Sequence, residues 1–279
     1  MQKKNLLLIT GATGFIGSKI LNQLEFMEHS YKILTFSSKK IFNYTNCNLL
    51  EITSIEFKKL VQDFDNVYLI HLATFFSLNK KDSEKIVAAN EKFGYDLLKT
   101  LEGTNLRQII YTNSLYLFSE DKIIKNSKYV ETKTKFSIFL KEYTEQRSIY
   151  FSEIFIGNTF GSGDERPKLI PQIIDSVKNG NINPIKNPDA YINLVPVNVV
   201  VNEIINQISN ESNRYSLISK YDYKISSIYE FCLNNFKKKK SKKIENKYSA
   251  YKNVLQDKIP IFEVETNLEK ELLFILRAG

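Results

Sequence analysis

Apolar positions in the first half of the chain follow two alternating patterns. Leu6-Leu7-Leu8-Ile9, Tyr31-Lys32-Ile33-Leu34-Thr35-Phe36, Val67-Tyr68-Leu69-Ile70-His71-Leu72-Ala73 and Gln108-Ile109-Ile110-Tyr111-Thr112 are short runs dominated by apolar residues. Runs of this length predict strands buried on both faces. Between them the apolar residues recur three and four apart, at Ser18–Leu24, at about Ser54–Phe64, and at Ser83–Leu101. Those segments predict helices, the last with Ile86, Ala89, Phe93, Leu97 and Leu101 on one face. A further strand is expected to end at Asn48-Leu49-Leu50-Glu51. Strands alternating with helices in this way predict an α/β domain with a parallel, doubly wound sheet.

The pattern changes past Gly161. Gly161-Ser162-Gly163-Asp164 has turn character, and five of the six prolines fall between Pro167 and Pro196. The chain is expected to leave the sheet there and build a smaller lobe over the carboxyl ends of the strands. Within it, Ser226–Phe236 and Leu268–Leu276 read as helices. The expected division is residues 1–160 as the sheet domain, with a return segment near 190–208, and 161–279 mainly as the lobe.

Composition narrows the class. A chain of 279 residues with 43% hydrophobic content suits a soluble globular protein, and no apolar run is long enough to span a bilayer. The apolar run after Met-Gln-Lys-Lys is too short for a signal peptide and ends at Gly11. Cys47 and Cys232 lie far apart, which points to a reducing compartment, the cytoplasm. With His29 and His71 as the only histidines, no metal cluster is expected. The net charge of +8 does not indicate a nucleic-acid partner, because the lysines are scattered. The dense run at Lys237–Lys240, Lys242 and Lys243 reads as a solvated loop or helix end.

Three of the ten glycines, Gly11, Gly14 and Gly17, fall between the first strand and the first helix. Strand, glycine turn and helix in that order cradle a dinucleotide pyrophosphate, because the backbone approaches the phosphates and the opening amides of the helix face them. At the end of the second strand, an acidic residue would bond the ribose 2′-hydroxyl of NAD, whereas hydroxyls and cations accommodate the extra phosphate of NADP. Ser37-Ser38-Lys39-Lys40 occupies that place, so NADP(H) is the expected cofactor and NAD(H) the alternative.

Tyr129 and Lys133, four apart on an expected helix, share a face after Thr112-Asn113-Ser114. An ammonium beside a phenol lowers its pKa and makes it a usable acid or base. The same spacing occurs at Tyr95/Lys99 and Tyr248/Lys252, but only Tyr129 follows a hydroxyl-bearing strand end. Ser114 is expected to hold a substrate oxygen or else to cap a turn. His71 is expected to be a core histidine.

Thr10-Gly11-Ala12-Thr13-Gly14-Phe15-Ile16-Gly17, His71-Leu72-Ala73-Thr74, Asn90, Thr112-Asn113-Ser114 and Tyr129/Lys133 together resemble the extended short-chain dehydrogenase/reductase family acting on nucleotide sugars. The stretch from His71 through Lys99 and the short gap from Ser114 to Tyr129 are most similar to the branch containing CDP-abequose synthase and other 4-keto-6-deoxy-sugar reductases. The resemblance implies a Rossmann-type fold. It places Gly11, Thr13, Gly14, Phe15, Ile16 and Gly17 at the pyrophosphate, Ser37, Ser38 and Lys39 at the adenosine ribose, and Asn48 and Leu49 at the adenine. Leu72, Ala73 and Thr74 would line the nicotinamide, Asn90 would support the strand ends, and Tyr129 and Lys133 would also touch the cofactor. Catalysis would fall to Ser114, Tyr129 and Lys133, and substrate binding to Thr74, Ser114 and Asn158. A homodimer paired through the helices bearing Asn90 and Tyr129 is also implied.

Departures from the family exclude sister reactions. Dehydratases carry an acidic pair just after the strand-five Thr, where this chain has Asn113 and Ser114; epimerase-reductases place Cys after the catalytic Ser, where it has Leu115. The stretch Ala190–Asn198 lacks the Arg with which relatives clamp the substrate diphosphate, leaving Arg214 or Lys168 as stand-ins. Reduction of a nucleotide-linked 4-keto-6-deoxy sugar for surface polysaccharide is the function implied. The alternatives are an NAD-dependent epimerase or dehydrogenase of the same fold and a non-catalytic dinucleotide-binding protein.

Overall fold

A computed structural model of the chain describes residues 4–27, 30–36, 45–47, 55–180, 185 and 187–277, with backbone alone at 45–47. It opens with β1 (Asn5–Thr10), α1 (Phe15–Glu25), β2 (Tyr31–Phe36), β3 (Thr45–Cys47), α2 (Ile55–Gln62) and β4 (Asn66–His71). A helical stretch follows: α3 (Ser83–Val87), a π-turn at Ala88–Lys92 and α4 (Phe93–Thr100). Next come β5 (Leu106–Ser114), a 3-10 turn at Leu115–Phe118, α5 (Lys122–Lys125), α6 (Lys128–Arg147) and β6 (Tyr150–Ile156). The chain continues with β7 (Asn158–Phe160), α7 (Leu169–Asn179), β8 (Tyr191–Pro196), α8 (Val197–Asn206), β9 (Asn213–Ser219) and β10 (Tyr221–Lys224). It ends with α9 (Ile225–Phe236), β11 (Asn246–Tyr248), α10 (Tyr251–Leu255), β12 (Ile261–Val264) and α11 (Leu268–Arg277). Two compact units result: Met1–Phe155 with Val201–Tyr215, and Ile156–Val200 with Ser216–Gly279.

In the first unit the strands lie in the order β3-β2-β1-β4-β5-β6-β9, the last through its opening residues. β1 runs parallel to both neighbours, with Leu8 opposite Leu34 on one side and Leu69 on the other. β2 with β3 and β4 with β5 are parallel as well. This is the doubly wound order, which reverses direction between β1 and β4 and opens a crevice at their carboxyl ends. Leu6, Leu7, Leu8 and Ile9 are 0% exposed, so both faces of β1 are covered, as a continuous apolar run requires. Each such side chain contributes about 1.5–3 kcal/mol on burial. The segment 201–215 is fastened to β5 by Gln108, whose Nε2 donates to the carbonyls of Gln207 (2.7 Å) and Asn210 (3.0 Å) while its Oε1 accepts from Ser209 N (2.9 Å).

The face expected for the helical stretch holds at Ile86, Leu97 and Leu101, all buried, and Phe93 packs against the core, but the register shifts within it. The π-turn accommodates one extra residue, so the buried side runs through Ile86, Asn90, Gly94 and Leu97. Ala89 and Phe93, expected on that side, are only half-buried.

The glycine turn closes β1, α1 and the end of β4 into one joint. Gly11 has φ +67°, a left-handed conformation open chiefly to glycine, and a Cβ there would lie 2.8 Å from the backbone N of Ala73. A Cβ at Gly17 would lie 2.3 Å from the carbonyl oxygen of Gly11 and 2.7 Å from Cα of Ala12.

The second unit holds a four-stranded sheet in the order β11-β10-β8-β7, with β7 parallel to β8 and the other pairs antiparallel. Its core gathers Ile170, Ile173 and Val177 of α7, Ile228 and Phe231 of α9, and Leu268 and Leu272 of α11. β12 pairs in parallel with the later residues of β9, Ile261 facing Ser216. Cys232 is buried and free, and burial pushes its thiol up to about 12. Lys237–Lys240, Lys242 and Lys243 are all exposed. No helix among the described residues is long and apolar enough to cross a membrane.

Replacing Gly17 by Ala forces atoms of the turn apart. Overpacking of this kind costs about 1–3 kcal/mol, and the expected result is a thermal unfolding midpoint lower by several degrees. A midpoint equal to the parent's would show that the turn has room for a side chain.

Candidate active site

The crevice is walled on one side by the end of β4. Thr10 Oγ1 accepts from the amides of Leu72 and Ala73, each at 3.1 Å, and lies 3.1 Å from His71 Nδ1. With its lone pairs taken by two amides, the Thr10 hydroxyl donates to Nδ1, which leaves the imidazole proton on Nε2. His71 Nε2 is buried with no hydrogen-bond partner. The ring packs among Phe93, Tyr111 and Phe136. Burial, and secondarily the charge of Lys133, hold its pKa down to about 3. It is a neutral core histidine with one nitrogen satisfied.

Asn90, buried at the π-turn, ties three segments together. Its Oδ1 accepts from the Thr74 hydroxyl (3.0 Å) and the Phe75 amide (2.7 Å), and its Nδ2 donates to the Phe75 carbonyl (3.2 Å) and Thr132 Oγ1 (3.3 Å). The loop after β4 is thereby fixed to α6.

On the other side, β5 ends at Ser114, whose hydroxyl accepts from the Tyr116 amide (3.2 Å) and so caps the 3-10 turn. Ser127 caps α6 by accepting from Val130 N, which starts the helix one residue before Tyr129. Tyr129 and Lys133 therefore occupy successive turns, both buried. The Tyr129 hydroxyl shares hydrogen bonds with Ser114 and Thr74. Phe76 packs edge-on against the Tyr129 ring with centroids 4.9 Å apart, and Tyr116 stands at 6.5 Å. Sequence reasoning did not single out these two aromatic walls.

The electrostatics differ from expectation in one respect. Lys133 does not depress the Tyr129 phenol: its Nζ donates to the Thr112 carbonyl (2.8 Å) and lies over the Tyr111 ring at 4.4 Å. Burial instead pushes Tyr129 up to about 12, opposed by its hydrogen bonds with Ser114 and Thr74. Lys133 is itself lowered to about 7 by burial, against the attraction of Glu153. Glu153, 1% exposed in β6, was missed in the sequence, where the only signal was a carboxylate inside an apolar strand.

The remaining expected residues are distributed as follows. Thr13 is exposed in the turn, Phe15 and Ile16 are half-buried in the first turn of α1, Leu72 is buried and Ala73 half-buried. α1 has no side-chain cap and no acidic residue in its first turn, and the opening amides of a helix lack intrahelical acceptors. The glycine joint and this helix start fit a dinucleotide pyrophosphate. Ser37, Ser38, Lys39, Lys40, Asn48, Leu49 and the expected strand end at Leu50-Glu51 lie outside the described residues. Asn158 stands on β7 of the second unit, its Nδ2 reaching the Asn193 carbonyl at 3.5 Å. Arg214, considered as a cation for a diphosphate, is committed elsewhere, its Nε donating to Glu153 at 2.7 Å. Lys168 precedes α7, with its pKa lowered chiefly by burial and then by Arg166. Tyr95 and Tyr248 take no part in this cluster; Tyr95 packs on Phe139 and Tyr248 on Tyr221. Among the described residues no group of three or more His, Cys, Asp or Glu is placed to hold a metal ion.

Residues 7–195 match the model of the NAD dependent epimerase/dehydratase family. Solved structures of similar fold include UDP-N-acetylglucosamine 4-epimerase from Bacillus cereus, with TM-score 0.74, 15% identity, and coverage of 98% of this chain and 96% of that one. The UDP-N-acetylglucosamine 4-epimerase from Methanobrevibacter ruminantium M1, in complex with UDP-N-acetylmuramic acid, has TM-score 0.74 and 19% identity over 99% and 98% of the two chains. RMD from Pseudomonas aeruginosa, complexed with NADPH, has TM-score 0.70 and 16% identity over 97% and 98%. No curated protein matches the chain.

The depressed pKa of His71 has a consequence for stability. Between pH 6.5 and about 3 the unfolded chain binds a proton that the folded one does not, so this group's contribution is present above pH 6.5 and is lost on acidification. Over two pH units this amounts to about 2–3 kcal/mol. Urea unfolding at pH 6.5 and at pH 4.5 is expected to show a smaller acid-induced loss in His71→Gln than in the parent. Equal losses would mean that His71 titrates normally.

Proposed function

The chain belongs to the NAD dependent epimerase/dehydratase family, and from that premise we propose that it is an NAD(P)H-dependent reductase of a nucleotide-linked 4-keto-6-deoxy sugar. The observation that carries the reading is the placement of Tyr129, a buried phenol on α6 that shares hydrogen bonds with Ser114 at the end of β5 and Thr74 after β4. Burial keeps the phenol protonated at neutral pH, beside a serine hydroxyl. Reduction of a ketone consumes a proton, and Tyr129 is held in the form that gives one. Asn113 and Ser114 in place of an acidic pair, and Leu115 in place of Cys, favour simple carbonyl reduction over dehydration or epimerisation coupled to reduction.

When bound, the nicotinamide dinucleotide supplies a hydride to the carbonyl carbon. The chain's own residues do the rest. Gly11, Gly14 and Gly17 with the amides of Phe15 and Ile16 hold the pyrophosphate, and Leu72, Ala73 and Thr74 line the nicotinamide side. Ser114 orients the keto oxygen, and Tyr129 Oη donates its proton to that oxygen as the C–O bond becomes single. Lys133, one turn along α6, offsets the charge left on Tyr129. NADP(H) is preferred in this reading because the end of β2 carries two serines and two lysines and no acid, with NAD(H) the alternative. One solved neighbour is complexed with NADPH. A homodimer, a cytoplasmic location and a role in deoxysugar supply for surface polysaccharide complete the proposal.

A 4-epimerase is the second reading, because two neighbours of the same fold carry that name. The two readings separate in one assay. A reductase oxidises NADPH in step with the 4-keto sugar nucleotide, whereas an epimerase interconverts C4 stereoisomers on retained NAD without net consumption. Tyr129→Phe is expected to abolish NADPH oxidation while cofactor affinity, followed by NADPH fluorescence, stays within about twofold, since one hydroxyl contributes little to binding a whole dinucleotide. Full activity in that variant sinks the assignment of Tyr129.

A further inference from the structure

Among the described residues Glu153 is the one fully buried carboxylate of the first unit, and nothing in the proposed chemistry uses it. It projects from β6 between Ser152 and Ile154, each 0% exposed, and is itself 1% exposed. Three side chains on three other elements converge on it. Oε1 accepts from Asn113 Nδ2 of β5 at 2.6 Å and from the Ser137 hydroxyl of α6 at 2.5 Å, and Oε2 accepts from Arg214 Nε of β9 at 2.7 Å. A carboxylate accepts and does not donate, so it obliges the Asn113 amide to turn its NH2 inward. Asn113 Oδ1 then faces the other way and accepts from the backbone N of Ser114 at 2.8 Å. The backbone amide of Ser114 is thus held two hydrogen bonds away from a charge.

The same carboxylate lies against the helix of Lys133: Ser137, which donates to it at 2.5 Å, is one turn further along α6 on the face that Lys133 occupies. The groups that face this ammonium are His71 of β4, Tyr111 of β5 and Glu153 of β6, with Tyr129 one turn back on its own helix and Arg214 behind Glu153. His71 is neutral and both tyrosines are protonated at neutral pH. Glu153 alone supplies negative charge, and its attraction opposes the burial that discharges Lys133.

We propose that Glu153 is the positioning residue of this centre, its carboxylate holding the backbone amide of Ser114 through Asn113 and serving as the counter-charge to the Lys133 ammonium. The inference rests on the proposed function only in taking Ser114 and Lys133 as the working residues. A strut that merely filled space would act on folding alone, whereas a counter-charge acts on the titration of Lys133 with a definite sign.

The test is the titration of Lys133 in the full chain, read by NMR of protein labelled with 13C at the lysine ε-carbon, with Lys133→Met assigning the resonance. Glu153→Gln keeps the volume and removes the charge; the Lys133 midpoint is expected to fall by about one pH unit. Arg214→Gln removes the cation that partly cancels Glu153, and the midpoint is expected to move the opposite way. The Arg214 side chain is 52% exposed, so this second variant is expected to fold even where the first does not. Faster amide exchange at Ser114 in Glu153→Gln supports the Asn113 link. Midpoints that stay in place, or that move in the same direction in both variants, overturn the proposal. No sugar enters the measurement, so a failure to reduce 4-keto sugars leaves this result intact and is told apart from it.

Discussion

The first unit depends on how closely two backbones approach at Gly11. The amide of Ala73 sits 2.8 Å from where a Cβ of Gly11 would be, and the Thr10 hydroxyl accepts from that amide and from its neighbour. β1 and β4 are thereby locked at the point where the strand order reverses, which is where an open α/β sheet forms its crevice. Every later feature of the site is connected to this joint. Thr74, one residue past Ala73, reaches Asn90; Asn90 reaches Thr132; and Thr132 lies between Tyr129 and Lys133 on α6. The glycine turn and Tyr129, far apart in sequence, are held in one frame by three hydrogen-bonded steps.

The centre is also a place where burial and charge are set against each other. Desolvation raises Tyr129, lowers Lys133 and keeps His71 neutral, each shift disfavouring the charged form. Left alone, these shifts would yield an uncharged pocket. The Glu153 carboxylate, itself paired with Arg214, restores a field without placing a carboxylate beside Tyr129. Burying such a charge is costly unless it is fully hydrogen-bonded. Asn113, Ser137 and Arg214 meet that condition, and two of these partners belong to elements that also carry Ser114 and Lys133.

The architecture was legible because it rests on short apolar runs and a glycine turn. β2 begins and ends at the residues its pattern indicates, and Gly11 and Gly17 stand where only glycine fits. That Tyr129 would stand beside Ser114 was legible by position, since it follows a hydroxyl-bearing strand end, when its spacing to Lys133 alone did not distinguish it from Tyr95 or Tyr248. What was not legible depends on three-dimensional detail. The π-turn moves the buried face from Ala89 to Asn90, and no simple periodicity encodes an inserted residue. The sign of the Tyr129 shift depends on where the Lys133 ammonium points, and it points to the Thr112 carbonyl. Glu153 shows in sequence only as a carboxylate inside an apolar strand, because its three partners, Asn113, Ser137 and Arg214, are spread over a hundred residues.

The absence of an arginine from Ala190–Asn198 takes on a different meaning once that stretch is seen folded. Asn193 is 6% exposed; its Nδ2 donates to Asp222 Oδ1 and the Ser219 carbonyl, both at 2.8 Å, and its Oδ1 accepts from Ser219 N at 2.9 Å. Tyr191 donates its hydroxyl to Glu245. The polar side chains of β8 thus hold the second unit together rather than facing a ligand. Arg166 is equally engaged, its guanidinium donating to Asp164 and to the Thr159 carbonyl. A guanidinium so placed has its planar fork already filled, and a bidentate grip on a diphosphate needs that fork open. Arg166 therefore serves as a brace of the second unit, and Arg214 holds Glu153 through its Nε.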